Sequence, residues 1–142
     1  MTVSPRHRAR EAALQVLYLW EIGRVEPGEA LDTFFREHGT SEPDEVRAFA
    51  GTLVRGTIAS LTDLDRIVEQ HSANWRLERI AVIDRLILRM AIWELQHQPE
   101  TAAAVVLNEA IELARTFGND DSVRFVNGVL DAVRKTLEGS RL

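Results

Sequence analysis

The sequence of 142 residues contains no cysteine and no long apolar run. The missing thiols exclude disulfides, cysteine-bound zinc and a cysteine nucleophile, and they suit a reducing compartment. No stretch approaches the roughly 18 apolar residues of a membrane span. The opening residues, MTVSPRHRARE, also lack the apolar core of a signal peptide. We therefore expect a cytoplasmic protein that is not inserted in a membrane.

The residue patterns of catalytic centres are missing as well. There is no nucleophile next to a base, no catalytic carboxylate pair, no glycine-rich phosphate loop and no His-Glu-x-x-His motif. The four histidines are scattered along the chain. The sequence predicts a binding protein that is not an enzyme and that requires no metal or cofactor.

Positive charge is scarce, because the formal net charge is −5. Nonspecific nucleic-acid binding needs positive charge facing the phosphates, which argues against a general nucleic-acid coat protein. The opening segment is an exception, since Arg6, His7, Arg8 and Arg10 precede the first acidic residue, Glu11. Any RNA site should therefore be a local patch that includes this segment.

Apolar residues recur mainly with the period of a helix. No segment alternates between apolar and polar residues for long enough to form a strand, so we predict an all-α fold. Ser4 and Pro5 indicate the start of the first helix. A break at 72–74 suggests an N-terminal helical subdomain of about 1–73 and a C-terminal one of about 74–142. Seven helices are expected, at about 5–22, 29–37, 44–60, 63–71, 80–96, 101–117 and 121–137.

Tyr18 lies opposite the apolar stripe of the first helix, near Leu14 and between basic residues. Two interpretations are open. Both side chains pack beneath a neighbouring helix, or Tyr18 is a platform for single-stranded nucleic acid, where stacking contributes about 1–3 kcal/mol per base. The stripe assigned to the core consists of Ala9, Ala12, Ala13, Val16, Leu17 and Trp20.

Phe125 lies off the buried stripe of the last helix, next to Arg124. Gly128, one turn later, predicts that another group approaches the helix backbone closely, because glycine costs a helix interior about 1 kcal/mol. The start of this helix is polar and serves either as a helix cap or as a phosphate or sugar contact. The residues concerned are Asp120, Asp121 and Ser122.

The central helix carries isolated charges among apolar residues. Asp84, Arg85 and Arg89 share a side with Leu88 and Ile92. Because an unpaired buried charge is costly, these charges either pair within the fold or face a protein partner.

These segments resemble the NusB family. RHRAREAALQVLYLWE is similar to the family's arginine-rich opening helix, and LRMAIWEL, VLNEAIELARTFG and DSVRFVNGVLD are similar to its later signatures. The resemblance implies two packed three-helix bundles. It also implies transcription antitermination on ribosomal RNA operons, by binding boxA RNA with NusE, a small-subunit ribosomal protein, in the RNA polymerase antitermination complex.

The resemblance further implies contact residues. The expected RNA contacts are Arg6, Arg8, Arg10, Tyr18, Asp121, Ser122, Arg124 and Phe125, together with His7, which stands where the family usually has arginine. The expected NusE contacts are Asp84 and Arg89, to which we add Arg85, Leu88 and Ile92 from the same face.

Two alternatives accompany this interpretation. One is the NusB-like domain of ribosomal RNA cytosine methyltransferases, which the length disfavours because no residues remain for a cofactor-binding α/β domain. The other is a homodimer in which the subunit interface covers the RNA face.

Overall fold

The computed structural model describes residues 4–38, 41–73 and 75–140, and within these ranges it contains helices and no strand. The α-helices are α1 (Pro5–Gly23), α2 (Pro27–His38), α3 (Asp44–Ala59), α4 (Leu61–His71), α5 (Val82–His97), α6 (Ala103–Phe117) and α7 (Asp120–Ser140), with a short 3₁₀ helix at Leu77–Arg79. The all-α prediction with seven helices is confirmed. No helix in the described ranges is long and apolar enough to cross a membrane.

Residues 1–59 form a compact first unit in which α1 packs against both α2 and α3. The predicted start of α1 is confirmed. The Ser4 hydroxyl accepts a hydrogen bond from the backbone N–H of His7 at 3.1 Å, and Pro5 occupies the first helical turn. These two features satisfy a free N–H group and preset the backbone angle for the helix.

The buried side of α1 is wider than its predicted stripe. Leu14, expected near the outward line of Tyr18, is only 1% exposed, whereas Trp20, expected in the core, is only partly buried. Because α1 contacts two helices instead of one, its covered sector extends around to Leu14. Tyr18 itself stays 42% exposed. The two residues therefore separate, with Leu14 in the core and Tyr18 at the surface.

Residues 60–142 form a second compact unit around α5, which packs against α4, α6 and α7. This arrangement explains why apolar residues surround α5 in the sequence. Since α4 packs on α5 and α7, the boundary lies between α3 and α4 and not near residue 73, and the second unit holds four helices where three were expected. The predicted break at 72–74 is a turn inside this unit, and Asn74 lies outside the described residues.

Candidate nucleic-acid interface

The basic cluster of α1 is organised around Phe49 of α3. The guanidinium carbon of Arg6 lies 3.7 Å from the centroid of the Phe49 ring, and that of Arg10 lies 5.5 Å from it. Such cation–π contacts orient a guanidinium group. Arg6 is exposed, whereas Arg10 is 4% exposed and has little surface to offer RNA. Phe49 was not identified from the sequence, because nothing in α3 marks it as the partner of arginines in α1.

The other basic residues of α1 have acidic neighbours. Arg8 Nε donates a hydrogen bond to Glu42 Oε2 at 3.0 Å, and His7 Nε2 lies 3.5 Å from Glu11 Oε1. Each contact compensates part of the positive charge that the sequence showed at this terminus. The first unit therefore offers an exposed arginine, Arg6, and an exposed ring, Tyr18.

Asn119 caps α7. Its Oδ1 accepts hydrogen bonds from the backbone N–H of Ser122 at 2.9 Å and from the Ser122 hydroxyl at 3.3 Å. Asp121, considered as a cap from the sequence, instead forms an exposed ion pair with Arg124. Ser122 is 4% exposed, so its hydroxyl has mainly a structural role at the start of α7.

Phe125 has an aromatic neighbour that sequence reasoning did not single out. The rings of Trp75 and Phe125 meet edge to face, with centroids 6.5 Å apart and an interplanar angle of 72°. Trp75 is 53% exposed, and Phe125 is partly buried. No spacing rule links a tryptophan after α4 to a phenylalanine in α7, so only packing within the second unit brings them together.

A cavity of about 380 Å³ opens beside this aromatic pair. Its lining includes Trp75, Phe125, Arg79, Asp84 and Ser122. Asp121 also lines it. Aromatic walls, a guanidinium group and two carboxylates in one cavity suit a planar polar ligand such as a nucleobase.

Asp84 supplies the unusual polar group of this cavity. Its residue is 8% exposed, and its Oδ1 has no hydrogen-bond partner among the described residues. Burial raises the pKa of the Asp84 carboxyl above its ordinary value of 3.8, and a hydrogen bond with the Ser122 side chain opposes that rise. The protonated carboxyl is therefore favoured in the folded state more than in the unfolded chain.

The raised pKa predicts that Asp84→Asn stabilises the protein at neutral pH. Ionising Asp84 costs folding free energy, and this cost grows as the pH rises through the pKa of the folded state. Asparagine keeps the shape without the charge. In thermal unfolding from pH 3 to pH 7, we expect the variant's advantage to be absent at the acid end and present at the neutral end. A wild type that is the more stable protein at pH 7 would contradict this assignment.

Close packing occurs at a different glycine of this region from the one that the sequence indicated. The prediction that a group approaches Gly128 closely is wrong for the described chain, because nothing lies within 4 Å of the position of an added Cβ. Gly118 is the constrained glycine. A Cβ there would lie 2.5 Å from the Ser122 Oγ and 2.9 Å from the Ala114 carbonyl oxygen.

The residues expected to face a protein partner lie largely in the core of the second unit. Leu88 and Ile92 are fully buried, and Arg89 is 4% exposed. Arg89 donates from Nε and Nη2 to the two carboxylate oxygens of Asp65, at 2.6 and 3.1 Å. The expected exposed face is therefore corrected for these three residues, because neighbouring helices cover α5 and Arg89 pairs within the fold. Arg85 is half-buried and donates to the Leu77 carbonyl oxygen at 3.4 Å.

No group of three or more histidine or acidic side chains suited to a metal ion occurs within residues 4–38, 41–73 and 75–140. The polar chemistry of the two surfaces is instead that of arginines beside aromatic rings. Exposed rings next to arginines on an all-helical scaffold are features of a helical nucleic-acid-binding protein.

Comparison with known proteins gives the family. The sequence matches the NusB family over residues 7–135, and the chain belongs to that family, as its motifs suggested. It is 41% identical over 135 residues to the transcription antitermination protein NusB of Solibacter usitatus, covering 95% of this chain and 92% of that relative. It is 44% identical over 132 residues to the protein of the same name from Sorangium cellulosum, covering 93% of each.

A solved structure shares the fold. The crystal structure of the antitermination factors NusB and NusE in complex with double-stranded RNA contains a chain similar to this one, with a TM-score of 0.85 and 27% identity. The similarity covers 95% of this chain and 99% of that chain.

Proposed function

We propose that this chain is a transcription antitermination factor that binds boxA-type single-stranded RNA together with NusE, within the RNA polymerase antitermination complex on ribosomal RNA operons. The observation that carries the proposal is the exposed Trp75 ring, packed against Phe125 beside a cavity that both rings line in a NusB-family chain. Aromatic rings accept any base by stacking, and neighbouring arginines neutralise phosphates.

Each unit has its own candidate groups for RNA in this proposal. In the second unit, a base stacks on Trp75 and Phe125, its amino group donates to the unpartnered Asp84 Oδ1, and Arg79 lies close enough for a phosphate. In the first unit, Tyr18 provides a second platform, and Phe49 holds Arg6 in position for the backbone. His7, Arg8, Arg10, Asp121 and Ser122 then act mainly by supporting these groups.

NusE is proposed to approach the N-terminal end of α5. Arg85 is the most accessible of the five residues expected to contact a partner. Asp84 precedes it and lines the cavity beside Trp75, so a protein docked here would border the bound RNA. A shared surface of this kind would let NusE add positive charge that this chain lacks.

The stacking proposal predicts that Tyr18→Ala and Trp75→Ala each weaken RNA binding by about 1–3 kcal/mol. Both rings are about half exposed, so the free energy of unfolding should change little. Phe125→Ala should weaken binding similarly, with some loss of stability because its ring is partly buried. Binding is measured by titrating labelled boxA RNA, and stability by urea denaturation.

Leu17→Ala is the matched control for this series, since Leu17 is fully buried one position before Tyr18. It should cost about 2–5 kcal/mol of stability. If Tyr18→Ala destabilised the fold as much as Leu17→Ala, the exposed-platform assignment for Tyr18 would be wrong.

The central experiment titrates boxA RNA at several salt concentrations, with and without NusE. A chain of net charge −5 with few arginines in its proposed RNA surface should bind weakly alone, with a shallow salt dependence near −0.7 per neutralised phosphate on a log–log plot. With NusE the affinity should rise and the slope should steepen. An unchanged affinity and slope would defeat the shared-surface mechanism.

Two further RNAs test selectivity in the same titration. A single strand of scrambled sequence should bind more weakly than boxA RNA. A duplex of the same length is included because the similar solved complex contains double-stranded RNA. If the duplex bound tightly at equal salt, the protein would recognise the RNA backbone, and the base-stacking mechanism would be wrong.

The homodimer alternative predicts a different result. If a subunit interface covered the RNA surface, sedimentation of the chain alone would give the mass of a dimer, and RNA would shift it toward a monomer–RNA complex. We expect a monomer mass in both conditions.

A further inference from the structure

A second charged groove lies in the first unit, between α2 and α3, and it has no part in the proposed RNA surface. Its volume is about 430 Å³. Arg47, Gly51 and Arg55 line it from α3, and Phe35 and Arg36 line it from α2. The three α3 positions are one helical turn apart, so they form one stripe, and the two arginines are separated by about 12 Å along the helix.

The charge of the groove is opposite to that of the chain. Three arginines and a single carboxylate, Asp32, line it in a protein of net charge −5. Within the described ranges, Arg36 and Arg55 are exposed and form no ion pair with an acidic residue. The guanidinium carbon of Arg47 lies 5.7 Å from the Phe35 ring centroid, which orients this side chain on the groove wall.

Gly51 lines the middle of the groove and is buried there. A glycine inside a helix costs about 1 kcal/mol relative to alanine, and it is usually explained by a neighbour that needs the space. Here the one described atom within 4 Å of an added Cβ is Arg55 Nη1, at 3.0 Å, the mobile end of a long side chain. Gly51 is buried, and the Arg55 guanidinium covers it, so the space above this glycine opens only when that side chain moves.

The lining favours a peptide over RNA. Phe35 is 6% exposed and lies beneath Arg47, so the groove offers no aromatic platform on which a base could stack. Asp32 can accept hydrogen bonds from backbone N–H groups, which a peptide has and a phosphate chain lacks. Arginine forks bind carboxylates in a bidentate manner.

We propose that the α2–α3 groove is a docking site for an acidic peptide segment of a partner protein, with carboxylates on Arg36 and Arg55. This site is independent of RNA binding. It gives a protein that carries RNA on one surface a separate attachment point for another protein.

The test uses a short fluorescein-labelled peptide of alternating glutamate and leucine. Fluorescence anisotropy should show saturable binding, and the amide signal of Gly51 should shift in a ¹H–¹⁵N NMR titration. A matched lysine–leucine peptide should not bind. Arg36→Gln and Arg55→Gln should each weaken binding about three- to tenfold, as expected for partly exposed ion pairs.

Two further variants separate the groove from general charge and from folding. Arg115→Gln removes an exposed arginine of α6 and should leave peptide affinity unchanged. Gly51→Leu should abolish binding, because its side chain would displace the Arg55 guanidinium, which lies 3.0 Å from the position of an added Cβ. Thermal unfolding of this variant checks that the chain still folds. The proposal is overturned by absence of saturable binding, or by equal losses in Arg115→Gln and Arg36→Gln. It is also overturned if Arg36→Gln and Arg55→Gln weaken boxA RNA binding and not peptide binding.

Discussion

Replacing Asp65 with alanine is expected to lower the free energy of unfolding by about 2–4 kcal/mol, because it removes the carboxylate that faces the buried Arg89 guanidinium. The Arg89 and Asp65 side chains are 5% and 21% exposed, respectively. Breaking a buried pair by removing one partner leaves a charge poorly compensated in a low-dielectric interior. The partial exposure of Asp65 places the expected loss toward the lower part of the range for buried pairs.

The chain offers a matched control two residues away. Asp63 pairs with Arg66 at 3.0 Å in the same helix, but both side chains are about two-thirds exposed. Asp63→Ala should therefore cost less than about 1 kcal/mol. Urea denaturation of both variants, with Arg89→Met to complete a double-mutant cycle, measures the difference. Equal losses from the two aspartates would show that the Arg89 pair does not hold the second unit together.

Leu88→Ala is expected to destabilise the protein by about 2–5 kcal/mol, through lost burial and the cavity that it leaves in α5. Leu88 is fully buried, although the sequence placed it on a face expected to bind a protein partner. The two roles predict opposite results. If Leu88 is a core residue, the variant is less stable but still binds NusE normally at temperatures well below unfolding. If Leu88 is a surface contact, the variant is as stable as the wild type but binds NusE more weakly.

Val105→Ala serves as the comparison for this truncation, since Val105 is an exposed apolar residue of α6 at 45% exposure. It should change the free energy of unfolding by no more than about 0.5 kcal/mol. Calorimetry of NusE binding to both variants completes the test. If Leu88→Ala kept its stability and lost NusE affinity, Leu88 would be a contact residue for NusE and not a core residue.

These expectations assign different roles to two parts of α5. Its apolar residues and Arg89 lie in the core of the second unit, and its N-terminal end, with Asp84 and Arg85, is the part that we propose for binding. A partner that docks at one end of a rigid central helix meets a preformed surface, so little conformational entropy is lost at the contact.

The features that the sequence determined are those set by local chemistry. Ser4 and Pro5 fix the start of α1 because a cap and a preset backbone angle act within one turn. Periodicity gave the all-α fold and most of the helices, since repeating apolar positions require a helix to bury one side. The family followed from contiguous blocks such as DSVRFVNGVLD, which need no knowledge of packing.

Tertiary structure decided which neighbours complete each local feature. A helical wheel shows which side of α1 is apolar, but it does not show that two helices cover it, and so it left open whether Leu14 is buried. Likewise, the spacing of Asp120 and Asp121 suggested caps, whereas the backbone path put Asn119 in the capping position.

The candidate site shows the same division. Tyr18 and Phe125 could be found from the sequence, because each lies off an apolar stripe beside arginine. Phe49 and Trp75 could not, because each acquires its role from a residue distant in the chain, Arg6 and Phe125 respectively. Helical periodicity gives the direction in which a side chain points. Only the packing of the helices determines which residue it contacts.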